Sequence, residues 1–130
     1  MGTLVVYFSK TGNSKRLAEE AIKELGCDFA ELIYDEKANK TEGFKDPTGY
    51  DRVMLFCPIW AFMLPEPMKH YLKEHGKAVQ SYSLVVTYSL FGLRGCISNC
   101  KKFTGKPPEK AMKIKGKLVK AGEYDIKSML

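Results

Sequence analysis

Between Ser9 and Ser14 the chain reads Ser-Lys-Thr-Gly-Asn-Ser, which sets four neutral hydrogen-bonding side chains around one glycine. The stretch follows the apolar run TLVVYF and precedes an amphipathic segment, NSKRLAEEAIKELG. A strand-to-helix turn needs one or two such residues, so the surplus asks for a chemical reason. The first N–H groups of a helix have no intrahelical acceptor, and the helix dipole places partial positive charge there. Gly12 lets the backbone curl or come close to a ligand. Ser9, Thr11, Asn13 and Ser14 add donors without charge, a set that suits a phosphate monoester. Lys10, Lys15 and Arg16 would strengthen the local field, or simply point into water. The competing reading is that Thr11 or Asn13 caps the helix and nothing binds.

Several phosphate chemistries are excluded. The loop lacks the G-x-x-x-x-G-K-[ST] spacing of a nucleoside-triphosphate site. It also lacks a cysteine nucleophile, which a phosphatase of this layout needs. The next apolar strand ends in Cys57-Pro58 rather than in the aspartate of a phospho-receiver.

The elements that must position this loop alternate between strand and helix patterns. TLVVYF, DFAELI, DRVMLFCPI, SYSLVVTYS and AMKIKGKLV read as five strands. Leu17, Ala18, Ala21, Ile22 and Leu25 recur at helical spacing before Gly26, and Met68, Tyr71 and Leu72 share a face between Pro65 and Gly76. Leu93, Cys96, Ile97, Cys100 and Phe103 form a third such series. Residues 34–50 are polar and irregular and read as a surface connection. This alternation predicts an α/β fold: a doubly wound parallel sheet with helices on both faces. In AMKIKGKLV, Met112, Ile114 and Leu118 alternate with Lys113, Lys115 and Lys117, the pattern of an edge strand guarded by lysines. Only AGEYDIKSML follows it, so the closing helix is expected to be short, with a partner or second subunit as the alternative cover.

In an open α/β sheet, ligands lie beyond the carboxyl ends of the strands. The segments after the first, third and fourth strands should therefore converge. The third is followed by Pro58, Ile59, Trp60, Ala61 and Phe62, and the fourth ends in Tyr88, Ser89, Leu90, Phe91 and Gly92. Two aromatic-bearing loops beside an anion loop could sandwich a flat heterocycle whose phosphate reaches Ser9–Ser14.

These residues resemble the flavodoxin family. YFSKTGNSKRLAEEA matches that family's FMN-phosphate pattern [TS]-x-T-G-x-[TS] at Ser9, Thr11, Gly12 and Ser14, and YDRVMLFCPIWAFMLPEPMKHYL is similar to its third strand, first flavin loop and following helix. The resemblance implies a flavodoxin-like five-stranded sheet of order 2-1-3-4-5 and bound FMN. It would place the phosphate at Ser9–Ser14, one side of the isoalloxazine at Pro58–Phe62 and the other at Tyr88–Gly92. The chain departs from the pattern in three ways. Its first flavin loop reads Ala61-Phe62-Met63, without the glycine that eases a positive φ. It carries net charge +6 where electron-carrier flavodoxins tend to be acidic, and its C-terminus is short.

The 130 residues, 45% hydrophobic and 28% charged, read as one cytoplasmic domain over 1–130. No apolar stretch has the length of a membrane span, and MGTLVVYF lacks the basic start of a secretion signal. Cys27, Cys57, Cys96 and Cys100 fit neither a disulfide framework nor a zinc pattern. Cys96 and Cys100 are read as buried apolar groups, with a metal or redox pair as the alternative. His70 and His75 are read as surface or capping residues. Between Lys101 and Lys120 stand eight lysines, one acid (Glu109), one aromatic (Phe103) and no arginine. A nucleic-acid surface would interleave arginine and aromatics, so this stretch is read as a solvated face or a dock for an acidic redox partner. The expected function is FMN-based electron transfer, with no catalytic side chain. A two-electron quinone- or flavin-type oxidoreductase, and a flavin-free protein-interaction module, remain the alternatives. The oligomer is expected to be a monomer, or a homodimer through the edge near residues 112–130.

Overall fold

The computed structural model describes residues 2–89 and 91–130. Its main sheet is built from β1 (Thr3–Tyr7), β2 (Asp28–Glu31), β5 (Arg52–Pro58), β6 (Tyr82–Tyr88) and β7 (Lys110–Lys115). All four pairings are parallel and the order is β2-β1-β5-β6-β7. Counting only this sheet's strands, that is the expected order 2-1-3-4-5. The order reverses at β1 and β5, where Leu4 pairs with Val53 and Tyr7 with Phe56.

The apolar runs are continuous because the central strands are covered on both faces. Leu4, Val6, Leu55 and Leu84 point into one core with α2 (Glu66–His75) and α3 (Leu93–Thr104), while Val5, Tyr7, Met54, Phe56 and Val85 point into the other with α1 (Asn13–Leu25). The inward stripe of α1 is Ser14, Leu17, Ala18 and Ala21, spaced i, i+3, i+4, i+7. Gly26 ends the helix in the left-handed region, φ +60°, its N–H donating to the Ile22 carbonyl. Pro65 precedes α2 and Pro67 lies in its first turn, where a missing N–H costs nothing.

Two expectations need correction. Residues 34–50 are not wholly irregular: β3 (Ile33–Asp35) and β4 (Lys40–Glu42) form an antiparallel pair. Its turn is organised by the Asp35 carboxylate, which accepts from the N–H groups of Lys37 and Ala38. Three-residue strands are too short to carry a visible alternation. The fifth strand stops at Lys115, and Gly116–Ala121 form a short helix, α4. Leu118 therefore lies on a helix and is not part of the strand alternation. Val119 and Met129 bury themselves against the α1 face, so the last fifteen residues cover this chain's own core. The Leu130 carbonyl accepts from Arg52 Nη1 at 2.9 Å. β7 is the edge strand, with Ile114 inward and Lys113 and Lys115 exposed.

Candidate functional site

The β1–α1 loop is held open by its backbone. Gly12 is left-handed (φ +94°) and forms the N-cap of α1 without any side-chain cap, so neither Thr11 nor Asn13 closes the helix start. The first intrahelical bond runs from the Arg16 N–H to the Gly12 carbonyl. The N–H groups of Asn13, Ser14 and Lys15 thus have no intrahelical acceptor. Two of the expected donors are used inside the protein. Ser9 Oγ accepts from the Gly12 N–H at 3.0 Å, and Ser14, buried, places its Oγ 3.0 Å from Thr87 Oγ1 of β6. Thr11 and Asn13 face the cavity described below.

The loop's own cations are also engaged. Lys10 pairs with Glu36 at 2.7 Å and lies over the Trp60 ring, 5.4 Å from its centroid. Lys15 pairs with Glu31 at 3.3 Å. Arg16 donates to the carbonyl of Val119 at 2.8 Å and stands over the Tyr124 ring, so it serves the C-terminus of α4.

After β5, the Ile59 N–H donates to the Thr87 carbonyl, and Trp60 and Met63 exchange two backbone hydrogen bonds of 2.9 Å. The enclosed two-residue turn places Ala61 at φ +49° and Phe62 at φ +65°. Both central residues of a type I′ turn need positive φ, normally supplied by Asn or Gly. The absent glycine therefore does not prevent the positive φ; the turn adopts it at a strain of about 1–2 kcal/mol per residue. The glycines stand opposite instead. A Cβ on Gly95 would lie 2.0 Å from the Phe62 carbonyl oxygen, and one on Gly92 2.8 Å from Phe62 Cα. Trp60 is fixed behind by Phe8, edge-on at 5.2 Å, and by Tyr34 at 6.1 Å.

These loops meet at a cavity of about 460 Å³ beyond the carboxyl ends of β1, β5, β6 and β7. Thr11 and Asn13 line one end, Pro58, Ile59 and Trp60 one wall, and Thr87, Tyr88 and Ser89 another. The remaining wall is Lys115, Gly116, Lys117 and Lys120. That size lies within the range of small-molecule sites. A second, apolar hollow of about 300 Å³ lies beside Ile59, Tyr88, Phe91 and Gly92.

The expected site residues therefore divide. Thr11, Asn13, Pro58, Ile59, Trp60, Tyr88 and Ser89 share the larger cavity, while Ser9, Gly12 and Ser14 shape the loop at its α1 end. Lys10 contacts Trp60 from outside the lining, and Ala61 forms the turn. Phe62 and Phe91, both largely exposed, stack on each other at 5.1 Å with planes 21° apart. Gly92 borders the smaller hollow. Leu90 lies outside the described residues. Sequence reasoning missed Thr87 and the β7–α4 wall. Reading the fifth strand through Val119 placed Gly116 and Lys117 inside a strand, whereas they stand at its carboxyl end.

Among the described residues, the titratable side chains that line the cavity are Tyr88, Lys115, Lys117 and Lys120. Cys57, Cys96 and Cys100 are fully buried. Burial pushes the Cys96 and Cys100 thiols up to about 12, and Cys57 well above the ordinary 9.0. His70 hydrogen-bonds Thr41 at 2.7 Å, and His75 packs on Tyr71 and Phe44, both away from the cavity. Among the described residues, no group of three His, Cys, Asp or Glu side chains could hold a metal ion. Nor is any helix there long and apolar enough to cross a membrane.

No family model matches this chain, and no curated protein matches it. Solved structures do. A flavoprotein from Lactobacillus acidophilus NCFM, in complex with FMN, superposes with TM-score 0.73 at 18% identity, over 86% of this chain and 92% of that one. A putative flavoprotein from Bacteroides uniformis ATCC 8492 gives 0.71 at 19% identity, over 93% and 96%. A flavodoxin from Streptococcus pneumoniae TIGR4 gives 0.56 at 14% identity, over the full length of both. The chain has the flavodoxin-like doubly wound fold.

Proposed function

We propose that this chain is an FMN-binding redox protein that works in electron transfer in the cytoplasm. The observation that carries the reading is one cavity with the uncapped N-terminus of a 13-residue helix at one end and Trp60 and Tyr88 on its walls. Phosphate and flat ring require those two features side by side, and the residues present fit the group. FMN, when bound, supplies the one- or two-electron chemistry, so no side chain has to act as acid or base. The N–H groups of the first turn of α1, with Thr11 and Asn13, hold the phosphate. Trp60 and Tyr88 flank the ring, and Pro58 and Ile59 exclude water beside it. An acidic redox partner would dock on the exposed Lys101, Lys102, Lys110 and Lys113. The protein acts as a monomer or pairs through the β7 edge.

The test is a titration of the apoprotein with FMN and with riboflavin, following flavin fluorescence and the emission of Trp60, the single tryptophan. Saturable quenching by FMN with much weaker riboflavin binding supports the reading. Failure of both flavins at micromolar concentration rejects it. The apolar hollow bordered by Ile59, Tyr88 and Phe91 favours a second reading, a reductase with room for a flat apolar substrate. Steady-state turnover of a simple quinone by the loaded protein would move the assignment to that class.

A further inference from the structure

We propose that Lys115, Lys117 and Lys120 form a cationic wall that neutralises the phosphate dianion of the ligand held at the N-terminus of α1. The inference rests on the FMN reading and adds to it a binding segment from the last quarter of the chain. All three lysines line the cavity that Thr11 and Asn13 also line. Gly116 stands against the same loop: a Cβ there would lie 2.8 Å from the Asn13 amide nitrogen, so a larger residue would push the Asn13 side chain aside.

Charge accounting points the same way. Lys10 and Lys15, the lysines that the sequence places in and beside the loop, each have a carboxylate within 4.0 Å, and Arg16 is tied to α4 carbonyls. Among the described residues, Lys115, Lys117 and Lys120 have no carboxylate within that distance. Among the described residues, the cavity therefore has one strongly positive wall and no acidic residue in its lining. Edge protection accounts for lysines on the strand, but Lys117 and Lys120 lie on α4. A phosphate monoester dianion is the ligand chemistry that such a wall serves.

The experiment compares FMN and riboflavin affinities of the wild-type chain and of the triple variant Lys115→Gln, Lys117→Gln, Lys120→Gln, at low and high salt. A second variant, Lys101→Gln with Lys102→Gln on α3, removes charge outside the cavity. The triple variant should bind FMN about 10- to 100-fold more weakly at low salt, with a flattened salt dependence. Its riboflavin affinity should stay at the wild-type value, which also shows that the variant folds. Unchanged FMN affinity in the triple variant, or an equal loss in the α3 variant, would overturn the wall while leaving the FMN reading intact. If the wild-type chain binds neither flavin, both fall together.

Discussion

Ser14 Oγ lies 3.0 Å from Thr87 Oγ1, joining the first turn of α1 to the last residues of β6 inside the protein. The two hydroxyls are 2% and 5% exposed. They tie the α1 end of the cavity to the wall that carries Tyr88. Removing either hydroxyl leaves the other buried without its partner, which costs about 1–3 kcal/mol. Ser14→Ala and Thr87→Val should each destabilise the fold by that amount in urea unfolding. The double variant should cost less than the sum, because it leaves no orphan. Simple additivity in that cycle would mean that the two hydroxyls do not share a bond.

The Trp60–Met63 turn stores strain that a glycine would release. Ala61 sits at φ +49°, where an L-residue is disfavoured by about 1–2 kcal/mol. Ala61→Gly should stabilise the protein by roughly 0.5–1 kcal/mol once the extra freedom of the unfolded chain is counted. Gly95→Ala should do the opposite, since its Cβ would overlap the Phe62 carbonyl oxygen. A loss of about 1–3 kcal/mol is expected from such a clash. Thermal unfolding of the two variants against wild type measures both signs.

The strand order and the three longer helices were legible because their signals are long: a run such as LVV in β1 is buried on both faces, and α1 repeats its inward residues over two turns. The β1–α1 junction was legible for a related reason, since Gly12 marks the turn, but the internal bonds of Ser9 and Ser14 were not. What escaped was decided by contacts distant in sequence. Nothing local tells Lys15 to pair with Glu31 or Arg16 to cap α4, and the sequence alone leaves them between the field of the loop and open water. The Lys115–Gly116 break inside an apparently continuous alternation hid the fourth wall, because the six-residue helix that follows, closed by a left-handed Gly122, is too short to show a helical period. Phe62 and Phe91 were placed as ring walls from their loops alone; their mutual stack depends on the turn and on the close approach at Gly92.

The buried thiols give the protein an alkaline limit. Burial raises the Cys96 and Cys100 thiols from 9.0 to about 12. Between those values the unfolded chain loses these protons while the folded one keeps them, so unfolding is favoured as pH rises. Their contribution to stability is complete below about pH 9 and is lost on the way to pH 12. The urea midpoint should be flat across neutral pH with respect to these groups and fall above pH 9. A thiol reagent should modify Cys27, which is half-buried, first in the native protein. Cys57, Cys96 and Cys100 should react only on unfolding. Fast modification of all four under native conditions would contradict the burial.

The two ends of the cavity should separate by ligand. Trp60 lines the cavity and rests edge-on against Phe8, and in the FMN reading it flanks the ring. Trp60→Leu keeps an apolar plug but removes the stacking surface, worth about 0.5–1.5 kcal/mol beyond area. FMN and riboflavin should therefore weaken together, by roughly 3- to 10-fold. Thr11→Val removes one neutral donor at the α1 end, where the FMN reading puts the phosphate, and leaves the walls untouched. A hydrogen bond to a charged group is worth about 1.5–3 kcal/mol, so FMN affinity should drop about 10- to 100-fold with riboflavin unchanged. Equilibrium titrations of both variants with both flavins give four numbers. A loss of riboflavin binding in Thr11→Val, or FMN-only loss in Trp60→Leu, would reverse the assignment of ring and phosphate within the cavity.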